Sequence, residues 1–326
     1  MARIASLTPN ATEITAALGA LSQLVVRSHA CDYPPSVCSL PVCTKVSIDT
    51  TVPSSDIDQS VKDLLSSAFS IFEIDVPLLK AAAPDIILTQ SQCDVCAVSE
   101  AELSGVLGDW FHHGVYIVSL KSNQLTDIWQ DITNIAEVID ANDRGRELIS
   151  KIRVNMTTID KKCAALRSRP RVACIEWIAP LMTAGNWVPE LVSMAGGINL
   201  FGETGIHSPW MDWEELQSAD PDVMIVMPCG FNLKRCRAEM FALTSSPGWE
   251  ELSCVKTGNV YLVDGNQYFN RPGPRLLESA EILFALKVKV FENDKVKSCN
   301  DKDLKSSLRS AKTPVDLISV FKKING

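Results

Sequence analysis

The chain has 326 residues, 46% of them hydrophobic, and 31 Lys and Arg against 39 Asp and Glu give a net charge of −8. This composition excludes wholesale disorder, and the acidity argues against a nucleic-acid partner. The length suits two domains, each large enough to bury a core.

Strand and helix signals alternate from the start. Arg3–Leu7 reads as a strand and Thr8-Pro9-Asn10 as a turn. Asn10 with Glu13 forms a start signal for a helix over 11–18, which Gly19 ends. Leu24–Ser28 is the next strand, and Ser55–Ala68 and Asp75–Ala83 read as helices. Pro84-Asp85 leads into Ile86–Gln90, an apolar run typical of a buried parallel strand. A helix near 99–107 and the strand Val115–Leu120 follow. This rhythm predicts a parallel sheet with helices on both faces.

Residues 123–167 contain no Pro and a single Gly, Gly145. Ile128, Ile132, Ile135, Val138 and Ile139 follow helical spacing, and a second helix over 143–167 carries Leu148, Ile152, Ile159 and Leu166. At 1.5 Å per residue it would reach roughly 37 Å, enough to bridge two domains. Arg171–Trp177 then restarts the rhythm as a strand. Helices at Val188–Ala195 and Asp212–Ser218, strands at Val223–Met227 and Asn259–Asp264, and a long helix at Arg275–Val290 follow. Pro-Asp precedes an apolar strand in both halves, at Pro84 and Pro221, which suggests two similar lobes. The expected organisation is an N-terminal lobe over 1–141, a linking helix over 142–168, a C-terminal lobe over 169–290 and a polar tail over 291–326. That tail would carry a short amphipathic helix over 313–324. Residues 287–326 hold ten Lys or Arg and five Asp or Glu, so the acidity belongs to the body.

Eleven cysteines are present. The chain runs from Met-Ala-Arg-Ile-Ala directly into strand-like sequence, with no export signal and no apolar run of about 18 residues. A cytoplasmic, reducing setting is therefore expected, in which most cysteines are small buried hydrophobes. Phosphate-loop, dinucleotide, G-x-S-x-G and H-E-x-x-H motifs are absent. His112-His113 reads as exposed.

The unusual residues follow the C-terminal ends of predicted strands. Ser6, Pro9 and Asn10 follow the first, and Cys31, Asp32 and Tyr33 the second. Gln90, Gln92, Cys93 and Cys96 follow the run at Ile86. In the second half come Glu176 and Trp177, then Trp187, Cys229, Phe231, Tyr268 and Arg271, with Trp210 a further candidate ring. Open parallel sheets bind ligands outside those strand ends. A cleft that takes both sets of loops is the expected site. Its aromatic rings would stack on a flat or apolar ligand. Glu176 would pair with Arg271 or meet the ligand, and Arg271 would meet a propionate or amide or form a salt bridge between lobes. Trp213 reads as packing. Cys93-x-x-Cys96 would hold metal, cycle redox or pack. With Cys31 and Cys229 it would offer four thiolates suited to zinc, to an iron–sulfur centre or to the metal of a bound chelate.

The motif Arg-Ile-Ala-Ser-Leu-Thr-Pro-Asn-Ala-Thr-Glu (3–13) resembles the opening of class III ABC-transporter solute-binding proteins. Ser28–Pro35, Pro84-Asp85-Ile86-Ile87, Pro221-Asp222-Val223 and Arg271-Pro272-Gly273-Pro274-Arg275 resemble the same family. Cys-Asp-Tyr-Pro-Pro (31–35), Thr-Gln-x-Gln-Cys-x-Val-Cys-Ala-Val (89–98), Gly-x-Trp-Val-Pro-Glu-Leu-Val (185–192) and Met-Pro-Cys-Gly-Phe (227–231) resemble its cobalamin-binding-protein-like branch. The resemblance covers about residues 1–286. It implies an α/β fold of two Rossmann-like parallel-sheet lobes joined by one long backbone helix. It also implies a corrinoid, haem-like or other metal-chelate ligand. Two departures stand out. Transport receptors of the family dock on a permease through one glutamate per lobe, and those positions hold Pro77 and Glu214 here. Where the B12 receptors place an aromatic residue against the corrin, this chain has Gln90. The expected protein is a monomeric, cytosolic, non-catalytic binder of a small molecule, with no membrane span. The alternatives are a thiol-based metal-binding protein or redox enzyme and an exported transport component.

Overall fold

A computed structural model of the chain describes residues 1–67, 70–91, 98, 103, 105, 114–164, 169–294 and 318–320, the side chains of 288–294 and 318–320 excepted. The chain divides into two units. Unit 1 is Met1–Ile152 with Pro272–Pro274, and unit 2 is Arg153–Arg271 with Arg275–Gly326. The division falls inside one long helix, Asn142–Ala164.

Unit 1 runs β1 (Ile4–Ser6), α1 (Pro9–Ala17), β2 (Leu24–Arg27), β3 (Thr44–Val46), α2 (Ser54–Ser66), β4 (Phe72–Ile74), α3 (Val76–Ala81), β5 (Ile86–Gln90), β6 (Tyr116–Leu120) and α4 (Leu125–Val138), and α5 (Asn142–Ala164) begins in it. Its main sheet has the order β2-β1-β5-β6 and is parallel throughout. All five residues of β5 are buried, as befits a strand covered on both faces. Ala5, Leu7, Val26, Leu79 and Ile87 form part of the core. β3 and β4 make a separate antiparallel pair.

Unit 2 continues with β7 (Arg171–Trp177), β8 (Met182–Thr183), α6 (Val188–Met194), β9 (Ile198–Asn199), α7 (Trp213–Ala219), β10 (Val223–Val226), α8 (Leu233–Glu239), α9 (Phe241–Thr244), α10 (Ser253–Lys256), β11 (Val260–Val263), α11 (Leu276–Asp294) and β12 (Ile318–Val320). Its sheet has the order β12-β11-β10-β7-β8, with β9 beside β7. β7, β10 and β11 are parallel, and β8 and β12 run antiparallel at the edges. Ile175, Leu216, Met224, Val226, Trp249 and Leu262 belong to its core. The expected α/β architecture with parallel sheets is the observed one.

The repeated Pro-Asp has a chemical basis. In unit 1 the Arg3 N–H donates to Asp85 Oδ2 (2.7 Å), and the Asp85 N–H donates back to the Arg3 carbonyl (2.8 Å). In unit 2 the Arg171 N–H donates to Asp222 Oδ2 (2.7 Å), and the Asp222 N–H returns to the Arg171 carbonyl (3.0 Å). Each guanidinium also reaches carbonyls just before the proline, Ala82 for Arg3 (2.7 Å) and Asp220 for Arg171 (3.3 Å). The aspartate thus sets the register of two neighbouring parallel strands in each unit. Asp85→Ala and Asp222→Ala should each cost about 1 kcal/mol in urea denaturation, because each removes one hydrogen bond at an exposed site. Losses that differ widely between the two would contradict the shared role.

Three local expectations are corrected. α1 begins at Pro9 with Thr8 as the N-cap residue, so Asn10 lies in the first turn and caps nothing. Proline at the first helical position has no N–H to leave unsatisfied and a pre-set φ, which fixes the start there. The basic tail was expected to carry a helix over 313–324, but Ile318–Val320 pairs antiparallel with β11, satisfying the edge of that sheet. The Arg275–Val290 helix runs on to Asp294. Gly19 does sit past the end of α1 with φ +71°, the left-handed conformation glycine adopts most readily.

Candidate functional site

In unit 1 the strand ends converge on a buried hydroxyl network. Ser6 ends β1 fully buried, and its Oγ donates to the Thr8 carbonyl (3.2 Å) and accepts from Thr12 Oγ1 (2.7 Å). Thr8 Oγ1 lies 2.6 Å from Asn10 Oδ1 and 3.1 Å from Gln90 Oε1, and its one proton serves either acceptor. Asn10 and Gln90 are both buried, and Pro9 is half-buried. The helix start, β1 and β5 are therefore tied together at their strand ends.

The loop after β2 is shaped by Arg27, a residue with no signal in the sequence. Its Nη1 donates to the carbonyls of Ser28 (3.1 Å) and Cys31 (2.9 Å). Cys31 is fully buried, with Sγ 3.7 Å from the Ser6 carbonyl. Asp32 and Tyr33 stand exposed beyond it, Tyr33 at 40%. Gln92, Cys93 and Cys96 lie outside the described residues, as do His112-His113 and most of the helix expected near 99–107.

The loop after β6 hangs on a buried carboxylate. Asp131 accepts from the Lys121 N–H (3.2 Å) and from Ser122 Oγ. Burial raises its pKa to about 6, against the lowering by the Ser122 and Lys121 hydrogen bonds. A carboxyl raised in the folded state binds a proton that the unfolded chain releases, so stability falls as pH rises from about 4 to about 6 and is flat above. The fall should be roughly 3 kcal/mol. Asp131→Asn keeps the shape and removes this slope, which urea titrations at pH 4, 5, 6 and 7 will register. A variant with the wild-type slope would contradict the assignment.

In unit 2, Glu176 and Trp177 end β7, both half-buried. Glu176 Oε2 accepts from Ser208 Oγ (2.9 Å), and that oxygen accepts from the Gly185 N–H (3.0 Å). Ser208 was not anticipated, because only the chain's return past β8 brings it there. The Trp177 ring packs against Phe231 (5.1 Å between centroids), Arg235 lies over the Phe231 ring (4.9 Å), and Arg235 pairs with Glu239 (2.7 Å). The half-buried Cys229 donates its N–H to the Glu176 carbonyl (3.1 Å). Arg271 is buried and donates to Asn266 Oδ1 (3.0 Å). Next to it, Asp264 accepts the N–H groups of Asn266 (3.1 Å) and Gln267 (2.9 Å). Burial raises the Asp264 pKa, while Arg271 and Arg275 pull it down.

The aromatic candidates separate by exposure. Tyr33 at 40% and Trp210 at 54% present rings to solvent, and Trp177 is half-open. Trp187, Phe231 and Tyr268 are each 5% exposed. Trp187 is committed to packing, with its indole N–H donating to the Phe269 carbonyl (2.6 Å). Tyr268 lies under Arg275 (5.4 Å), and burial raises its phenol to about 12. Trp213 packs on Trp249 (6.2 Å) and donates to the Pro247 carbonyl (2.8 Å), as expected.

Burial raises the thiols of Cys43, Cys174, Cys236 and Cys254 to about 12 and that of Cys163 to about 11. Protonated, buried thiols are inert packing groups. Among the described residues, no group of three or more His, Cys, Asp or Glu is placed to hold a metal ion. No helix among them is long and apolar enough to cross a membrane.

Residues 4–266 match the periplasmic binding protein family. The chain belongs to that family. The class III solute-binding resemblance carried by its motifs is borne out. The binding protein is 22% identical over 292 residues to a vitamin B12-binding protein of Vibrio cholerae serotype O1, covering 86% of each chain. Among solved structures, it is similar to a possible iron-binding, periplasmic solute-binding protein from Staphylococcus epidermidis. There the TM-score is 0.65 and the identity 21%, over 87% of this chain and 98% of the other. It is also similar to a periplasmic heme-binding protein from Roseiflexus sp. RS-1, with TM-score 0.63 and 18% identity over 90% and 99% of the two chains. At these identities the structural likeness establishes the fold.

Proposed function

We propose that the protein binds a planar metal chelate, a corrinoid or haem-like macrocycle, at strand-end loops, and catalyses no reaction. The observation that carries this reading is the set of accessible aromatic rings near strand ends, Tyr33 in the loop after β2, Trp177 at the end of β7, and Trp210, bridged to Met182 of β8. Apolar faces with a few fixed polar groups suit a flat ligand with a polar rim. Similarity to a vitamin B12-binding protein and to a heme-binding protein supports the ligand class. Gln90 is engaged with Thr8 and supplies an amide where the B12 receptors place an aromatic face.

The protein acts as a monomer in a reducing compartment, apart from a two-glutamate docking on a permease. Eight described cysteines are free thiols, six of them buried, which fits a reducing setting. Glu214 is exposed on α7, whereas the matching position on α3 is the uncharged Pro77. The test is the absorption spectrum and metal content of protein isolated anaerobically. A corrin or Soret band, with cobalt or iron equimolar to the macrocycle, is the expected result. Stoichiometric zinc or iron without a macrocycle, abolished by Cys93→Ser, would overturn it.

A further inference from the structure

His29 follows Ser28 directly after β2, in the strand-end loop that carries Cys31, Asp32 and Tyr33. The Ser28 N–H donates to the carbonyl of Ser6, the last residue of β1, so His29 sits at the end of the sheet. Its ring is held on two sides. Nδ1 lies 2.8 Å from Thr44 Oγ1, and the ring packs against Phe72 at 5.8 Å between centroids. One arrangement of protons leaves Nε2 available. Thr44 Oγ1 donates its single proton to Ser28 Oγ (3.1 Å) and accepts the His29 backbone N–H (3.1 Å). Thr44 then has only a lone pair for the ring, so Nδ1 carries the proton and Nε2 keeps its own lone pair. Nε2 has no partner among the described residues. A neutral imidazole whose second nitrogen is anchored is the form that ligates metals.

From this geometry, and resting on the macrocycle-binding reading above, we propose that His29 Nε2 is an axial ligand to the central metal of the bound chelate, with Thr44 and Phe72 as positioning residues. One nitrogen lone pair would fill one axial position on cobalt or iron, displacing a water, and no redox step is involved. The class of ligand is thereby narrowed to macrocycles with an open axial position.

The probes are cob(II)inamide, whose lower axial site is open, and haemin. With cob(II)inamide the wild type should give the three-line nitrogen splitting of a single axial nitrogen in its electron paramagnetic resonance spectrum. With haemin the Soret band should shift to that of an imidazole-ligated iron. His29→Ala should bind the macrocycle at least tenfold more weakly and, at saturation, lose these signatures, and added imidazole should restore them. Thr44→Val, which frees the ring, should weaken binding about tenfold. A nitrogen signature with either probe, lost in His29→Ala, supports the assignment. Tight binding of a macrocycle without a nitrogen signature, or with one that survives His29→Ala, overturns it and leaves the macrocycle-binding reading standing. Binding of neither probe overturns both.

Discussion

Trp187→Ala is expected to lower the unfolding free energy by about 4 kcal/mol, the usual cost of emptying a large buried aromatic site. Trp187 is 5% exposed in unit 2. Its indole N–H also makes, among the described residues, one of two hydrogen bonds to the backbone of Phe269, a fully buried residue at φ +66°. A bulky side chain seldom adopts that left-handed conformation and needs outside support to keep it. The other partner is Ser279 Oγ, which accepts the Phe269 N–H (3.1 Å). Trp187→Phe keeps most of the packing and removes only the hydrogen bond, so about 1–2 kcal/mol should go. Urea denaturation of the three proteins gives both values. If Trp187→Ala cost less than about 1 kcal/mol, the core role would be wrong. Because Trp187 is covered, Trp187→Phe should bind the macrocycle as the wild type does.

Gly265→Ala should be nearly as damaging. A Cβ there would stand 2.1 Å from the Pro228 carbonyl oxygen and 2.6 Å from that of Met227, both main-chain atoms. Asn270 Nδ2 bridges the same region, donating to the carbonyls of Met227 (3.0 Å) and Gly265 (2.9 Å). Two strand-end segments of unit 2 are therefore in direct backbone contact at Gly265. Forcing them apart should cost about 3 kcal/mol and lower the melting temperature by on the order of 10 °C. Gly230 is the internal control. It lies in one of those segments at φ +76° with nothing within 4 Å of an added Cβ. Gly230→Ala then meets only backbone strain, about 1–2 kcal/mol. Equal melting temperatures for the two variants would contradict the close approach.

The parts of the fold that were legible share one property: the local chemistry and the tertiary role coincide. Pro84-Asp85 and Pro221-Asp222 announce strands because each aspartate latches the arginine that opens the neighbouring strand. Ile86–Gln90 and Val223–Val226 read as central strands because both faces are buried. β8 and β9, two residues each, are too short to show any period, and they exist only because β7 is beside them. Ile318–Val320 misled for the same reason, since its pairing with β11 overrides a helical pattern.

The site was legible as a set of loops and opaque as a set of contacts. Trp187 and Trp210 look alike in sequence, yet one is buried with its indole N–H on the Phe269 carbonyl and the other is half exposed. Ser208, Arg27 and Thr44 carry no motif and act through partners 32, 4 and 15 residues away, Glu176, Cys31 and His29. Asn10 was read as a cap because the helix start was misplaced by two residues, although it does reach the strand-end network through Thr8.

Equilibrium titration of the purified protein with cobinamide, cyanocobalamin and haemin, followed by absorption beside an albumin control, bears most directly on ligand binding. A saturable one-to-one change with at least one macrocycle, at a Kd about tenfold or more below that for albumin, is expected. Weak, unsaturated curves that parallel albumin for all three would contradict it.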